Sequence, residues 1–158
     1  TLSDIPEVWI ANYNCPGQIV ISGKKEAVEA AAEALKARGI KRVLMLNVSG
    51  PFHSGLLRDA GEELGKVLAA TEIHPLRIPY YANVTGDKVE DAAKVRELLT
   101  EQVYSSVRFE QSIRNMLSAG VDTFYELGPG KTLAGFVKKI DRAATVVNIE
   151  TMEDLSKV

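Results

Sequence analysis

Residues 121–149, VDTFYELGPGKTLAGFVKKIDRAATVVNI, decide the fold class. VDTFYEL (121–127) combines β-branched and aromatic residues in a short run, so it reads as a strand. Gly128-Pro129-Gly130 ends that run. Residues 131–140 place Leu133, Phe136, Val137 and Ile140 at helical spacing, which predicts a helix packing back on the strand. TVVNI (145–149) then reads as a second strand. Strand, short loop, helix and strand are the repeat of an α/β architecture. GPGKT (128–132) also invites a phosphate-loop reading. That pattern needs a Gly five positions before Gly130, and Tyr125 stands there. The cradle of backbone amides is incomplete, so these glycines are read as serving a strand-to-helix turn.

Working outward, the same alternation continues. VWIANYN (8–14) and QIVIS (18–22) are β-prone runs joined by Cys15-Pro16-Gly17, the pattern of a hairpin. Lys24 to Arg38 is predicted helical, with Val28, Ala31, Ala32 and Leu35 on one face and Gly39 placed to cap its end. RVLMLNVS (42–49) reads as a buried strand. A helix follows over about 55–70, with Ser54 as N-cap and Leu57, Ala60, Leu64, Val67 and Leu68 inward. RIPYYANV (77–84) is strand-like. Helices are expected over 91–103 and 107–119, joined at Ser105-Ser106. Gly and Pro in Val48-Ser49-Gly50-Pro51 mark a boundary between two parts.

Composition narrows the function classes. The chain has 158 residues and a net charge of −2, so nothing points to nucleic acid as a partner. No apolar run reaches the roughly 20 residues of a membrane span. A single cysteine, Cys15, excludes an internal disulfide and fits a reducing compartment such as the cytoplasm. The sequence opens TLSDIPEVWI, without an initiator Met or a signal-peptide pattern, and reads as a processed chain or a piece of a longer one.

Among chemistry-bearing residues, His53 stands out. It lies in Ser49-Gly50-Pro51-Phe52-His53-Ser54, between a strand-like run and a helix, where α/β sheets place ligands. An imidazole there suits a general base. His74 in Glu72-Ile73-His74-Pro75 reads as a surface loop residue, and Cys15 as a small structural thiol. Two distant His and one Cys make no metal site. Asp59, Glu62 and Glu63 form a solvated helix face. Asn83-Val84-Thr85 fits a glycosylation sequon by chance. A Ser nucleophile to pair with His53 would need Gly-x-Ser-x-Gly, which occurs nowhere in the chain.

Four segments carry a resemblance: ANYNCPGQIVISG (11–23), KRVLMLNVSGPFHSGLL (41–57), EQVYSSVRFEQSI (101–113) and FYELGPGKTL (124–133). The chain resembles the C-terminal half of the malonyl-CoA:acyl carrier protein transacylase family over nearly its whole length. The resemblance implies an α/β-hydrolase-like acyltransferase core with an inserted ferredoxin-like subdomain. Residues 1–48 would be a partial small subdomain, and 49–158 the C-terminal part of the core. It implies malonyl transfer from coenzyme A, through a Ser ester, to the phosphopantetheine thiol of acyl carrier protein. The same segments also occur in acyltransferase domains of polyketide and fatty acid synthases. The coenzyme A thioester is substrate, and no separate cofactor or metal is implied. His53 matches the catalytic base, and Gln102 the residue whose carbonyl-type acceptor orients it. Asn12 and Asn14 match residues near the pantetheine and acyl site. Phe52 matches the malonyl-preferring version of the motif. Lys41 and Arg42 match a basic pair that docks the acidic carrier protein. The elbow Ser, the malonyl-binding Arg and the oxyanion donors would lie in a missing N-terminal half, and the alternative is that this chain is a non-catalytic fragment that needs that half.

Overall fold

The computed structural model describes residues 4–156. The chain opens with an antiparallel hairpin of β1 (Val8–Cys15) and β2 (Gln18–Gly23), closed by Pro16-Gly17. Helix α1 (Lys25–Ala37) follows and buries Ala31 and Ala32. Its end has the hydrogen bonds of a Schellman motif: Gly39 N donates to Lys36 O, and Ile40 N donates to Leu35 O. Gly39 takes φ +88, which a side chain would resist.

A 3-10 turn (Gly55–Leu57) leads into α2 (Arg58–Ala70). A two-residue antiparallel ribbon pairs β3 (Tyr80–Tyr81) with β4 (Lys88–Val89). A second 3-10 turn (Ala92–Lys94) enters α3 (Val95–Gln102), and α4 (Phe109–Ser118) comes after it. Then β5 (Thr123–Leu127), α5 (Thr132–Ile140) and β6 (Thr145–Ile149) form the β–α–β unit, with its strands parallel and in register from Thr123↔Thr145 to Leu127↔Ile149. A final short helix, α6 (Met152–Leu155), starts with a Thr151–Asp154 capping box.

The core lies where the β–α–β unit meets α4. Ile113, Val137 and Ala144 are buried together, with Phe109, Met116, Phe124, Ile140 and Val146 packed around them. Phe109 and Phe136 meet edge to face at 6.0 Å. The hairpin is tied to this body through the link between α3 and α4. Val107 N donates to Ala11 O and Tyr13 N to Val107 O, both at 2.8 Å. Ser106 Oγ adds a bond to Ile10 O. This stitching holds the end of α3 beside β1.

Four expectations are corrected. Residues 42–49 form no strand. Leu44, Met45, Leu46 and Val48 are 58–65% exposed, and no strand lies alongside them among the described residues. An apolar run becomes a strand only where a neighbour takes up its backbone bonds. The strand over 77–84 shrinks to Tyr80–Tyr81 for the same reason. In α2, Ala60 and Val67 point outward rather than in. The helix instead turns Gly61 to α3, because a Cβ at Gly61 would come within 2.6 Å of the Tyr104 ring. In α5, Leu133 is 46% exposed while Ala134 and Val137 are buried.

Candidate active site

The loop from Ser49 to Ser54 turns sharply at His53, whose φ is +55. A non-Gly residue in this region is uncommon and costs on the order of 1 kcal/mol. The surroundings hold it there. Ser54 is fully buried, and its hydroxyl donates to Pro51 O at 2.6 Å. Ser54 occupies the N-cap position without capping through its side chain; its own carbonyl accepts from Leu57 N instead.

His53 Nδ1 lies 2.9 Å from the backbone oxygen of Gln102, at the end of α3. A carbonyl only accepts, so Nδ1 carries a proton, and in the neutral ring Nε2 keeps the lone pair. The Gln102 side-chain amide stands 3.3 Å from the same Nδ1, a longer contact. His53 faces a cleft of about 380 Å³. Trp9 and Ile10 of β1, Gly55 and Arg58 just after His53, and Tyr104, Ser105, Ser106 and Arg108 of the α3–α4 link line it. The Trp9 indole packs so tightly on the 3-10 turn that a Cβ at Gly55 would sit 2.8 Å from it. The Arg58 guanidinium stacks 4.5 Å over Tyr104, and Arg108 lies 5.6 Å over Tyr13.

The structure therefore brings His53 and Gln102 together across 49 positions of sequence. It does not gather the other candidates around them. Asn12 and Asn14 are half-buried on β1, outside the cleft lining. Asn14 falls at an irregularity between Tyr13 and Cys15. Phe52 is 54% exposed and lies near Gly50. Lys41 and Arg42 are exposed on the strandless segment, with no ion pair among the described residues. His74 is a surface residue 3.5 Å from Glu72, and Cys15 is a buried free thiol. Sequence reasoning missed Trp9, Arg58, Tyr104 and Arg108. Only Arg58 left a trace, near the start of the predicted helix that follows His53.

The GPGKT turn is closed to outside anions by the chain itself. Glu126 accepts from Leu133 N at 3.0 Å and Ala134 N at 2.8 Å, filling the amide-rich start of α5. Asn148 Nδ2 donates to it at 2.7 Å. Partial desolvation alone raises this carboxyl's pKa. The Ala134 and Leu133 amides and the Asn148 side chain together outweigh it, and the net value lies below the ordinary 4.5. Gly130 N donates to Glu150 as well. Among the described residues no cluster of His, Cys, Asp and Glu suits a metal ion, and no helix is long and apolar enough to cross a membrane.

Residues 1–153 match the acyl transferase domain family. The chain belongs to that family. Among acyl transferase relatives, the malonyl CoA-acyl carrier protein transacylase of Bacillus subtilis is 47% identical over 148 residues, which is 94% of this chain and 47% of the relative. The crystal structure of the transacylase of that name from Clostridium perfringens superposes with a TM-score of 0.92 at 45% identity, over 99% of this chain and 49% of that one. A malonyl-transacylase solved with a type II polyketide-synthase acyl carrier protein superposes at 0.94 and 34% identity, over 99% of this chain and 52% of that one. The chain thus spans about half the length of the acyl transferases it matches.

Proposed function

We propose that this chain is the base-bearing part of a malonyl-CoA:acyl carrier protein transacylase of fatty acid synthesis. The observation that carries this reading is the His53 Nδ1–Gln102 carbonyl contact at the edge of the cleft, which leaves Nε2 to accept a proton. In the complete protein, an elbow Ser from outside this chain attacks the malonyl thioester carbonyl. His53 Nε2 takes the Ser proton as the C–O bond forms. The C–S bond then breaks, and the imidazolium returns the proton to the leaving coenzyme A thiolate. The carrier-protein thiol repeats the sequence in reverse, giving its proton to His53 and taking malonyl from Ser. The Gln102 carbonyl keeps the ring's tautomer and orientation through each half-reaction.

The remaining roles belong to the same reading. Asn12 and Asn14 would contact the acyl-pantetheine from β1, and Phe52 would favour malonyl over bulkier groups. Lys41 and Arg42, exposed and unpaired among the described residues, would steer an acidic carrier protein, chiefly through on-rate. Residues 1–48 would belong to the small subdomain and 49–158 to the core. The setting is cytoplasmic. The polyketide-synthase carrier bound to one relative supports a second setting for the same chemistry. Transfer rates to fatty-acid and polyketide carrier proteins separate the two.

The test is malonyl transfer by the complete protein with His53→Ala. A loss of roughly 10²–10⁴-fold is expected. Activity within about threefold of the unaltered protein rejects the base assignment. The 158-residue chain alone, without a Ser elbow, is expected to gain no malonyl mass on incubation with malonyl-CoA.

A further inference from the structure

The cleft beside His53 carries two cations that the transfer chemistry does not use. Arg58 and Arg108 both line it, and no Asp or Glu does among the described residues. Neither arginine is ion-paired among the described residues. Each is oriented instead by an aromatic ring, Arg58 by Tyr104 and Arg108 by Tyr13. Stacking uses the face of a guanidinium and leaves its in-plane N–H groups free. Arg108 spends its Nε on Val84 O, whereas the Arg58 side chain makes no hydrogen bond among the described residues; its backbone N–H donates to Gly55 O. Arg58 is thus a pre-oriented planar fork. It stands one short 3-10 turn, at about 2 Å per residue, beyond Gly55 on the His53 side of the cleft.

We propose that Arg58, with Arg108 beside it, forms a phosphate subsite that anchors the far end of the pantetheine arm while the thioester lies at His53. The inference rests on the proposed transacylase reading and names the contact that both of its substrates share. Coenzyme A and the carrier protein each present a phosphate at the end of that arm. A planar fork matches two phosphate oxygens at once. Trp9, Ile10 and Val84 supply apolar wall for the uncharged stretch between phosphate and sulfur, as pockets of this size generally do. Anchoring at the remote end holds the carbonyl in reach of the nucleophile and base.

Trp9 is the chain's only tryptophan and lines the cleft, so its fluorescence reports occupancy. Titrating the chain with 4′-phosphopantetheine and with pantetheine should show roughly tenfold tighter binding of the phosphorylated arm. Arg58→Ala should abolish that preference, Arg58→Lys should keep part of it, and salt should weaken it. Equal affinities for the two probes, or a preference that survives Arg58→Ala, overturn the proposal. In the complete protein, Arg58→Ala should raise KM for malonyl-CoA and for the holo carrier protein. The ratio of the malonyl-CoA KM to that of malonyl-N-acetylcysteamine, which lacks the phosphate, should rise about tenfold. An equal loss on both thioesters places Arg58 on the malonyl carboxylate or in the scaffold and also overturns it. A phosphate preference at Trp9 of this chain, with a complete protein that transfers no malonyl, rejects the transacylase reading and leaves the phosphate subsite standing.

Discussion

Two junctions of this molecule look alike in sequence and behave oppositely. Ser49–Ser54 and Gly128–Lys131 are both Gly/Pro turns that feed a helix. At the second, Glu126 reaches across the turn and takes the first free amides of α5, so the helix start is neutralised from within. At the first, Ser54 spends its hydroxyl on Pro51, and His53 swings into the left-handed region to face the cleft. A turn becomes a candidate site when its polar atoms are held by the chain but not used up by it. Gln102 holds one nitrogen of His53 and leaves the other.

The largest test of that contrast is His53→Ala against a change in the other turn. The first should cost malonyl transfer by the complete protein at least about a hundredfold. Stability gives the next effect. Glu126→Ala should lower the unfolding free energy by about 1 kcal/mol at neutral pH, as loss of a helix cap does, measured by urea denaturation. The sign of its pH dependence follows from the lowered folded-state pKa. Glu126 contributes above its unfolded value near 4.5, and the contribution is lost as pH falls through the lower folded value. The gap between the two proteins should therefore narrow in acid, and a gap that widens there would break the capping account.

Gln102→Ala should come third. The hydrogen bond to His53 runs to the backbone oxygen, which the substitution keeps, and the side-chain amide cannot donate to an Nδ1 that already carries a proton, so transfer should change by less than about threefold. A loss as deep as that of His53→Ala would show that the side chain, and not the carbonyl, orients the ring. Lys131→Ala should be smallest, with transfer and stability both unchanged within error. Lys131 is exposed and makes no ion pair among the described residues. A marked loss of transfer there would reopen the GPGKT turn as a binding element.

The β–α–β unit was legible because its signals are local. Val146 and Val147 suit a strand, Phe136, Val137 and Ile140 share a helix face, and Gly128 and Gly130 supply backbone angles few other residues adopt. The segment 42–49 was misread because apolar content does not say whether a neighbour exists. The α2 face differs from the reading because the spacing of apolar residues suggested Ala60 and Val67, whereas the packing turned on leaving room for Tyr104 at Gly61.

The sequence by itself determined the α/β class, the hairpin, most helices and His53 as the residue to watch. These follow from periodicity, turn chemistry and residue type within a few positions of each other. Only the tertiary structure decided which nitrogen of His53 is held, that Glu126 closes the other turn, and that Trp9, Arg58, Tyr104 and Arg108 share one cleft. Those relations join residues from distant parts of the chain. Close packing brings them together, and no local pattern records it.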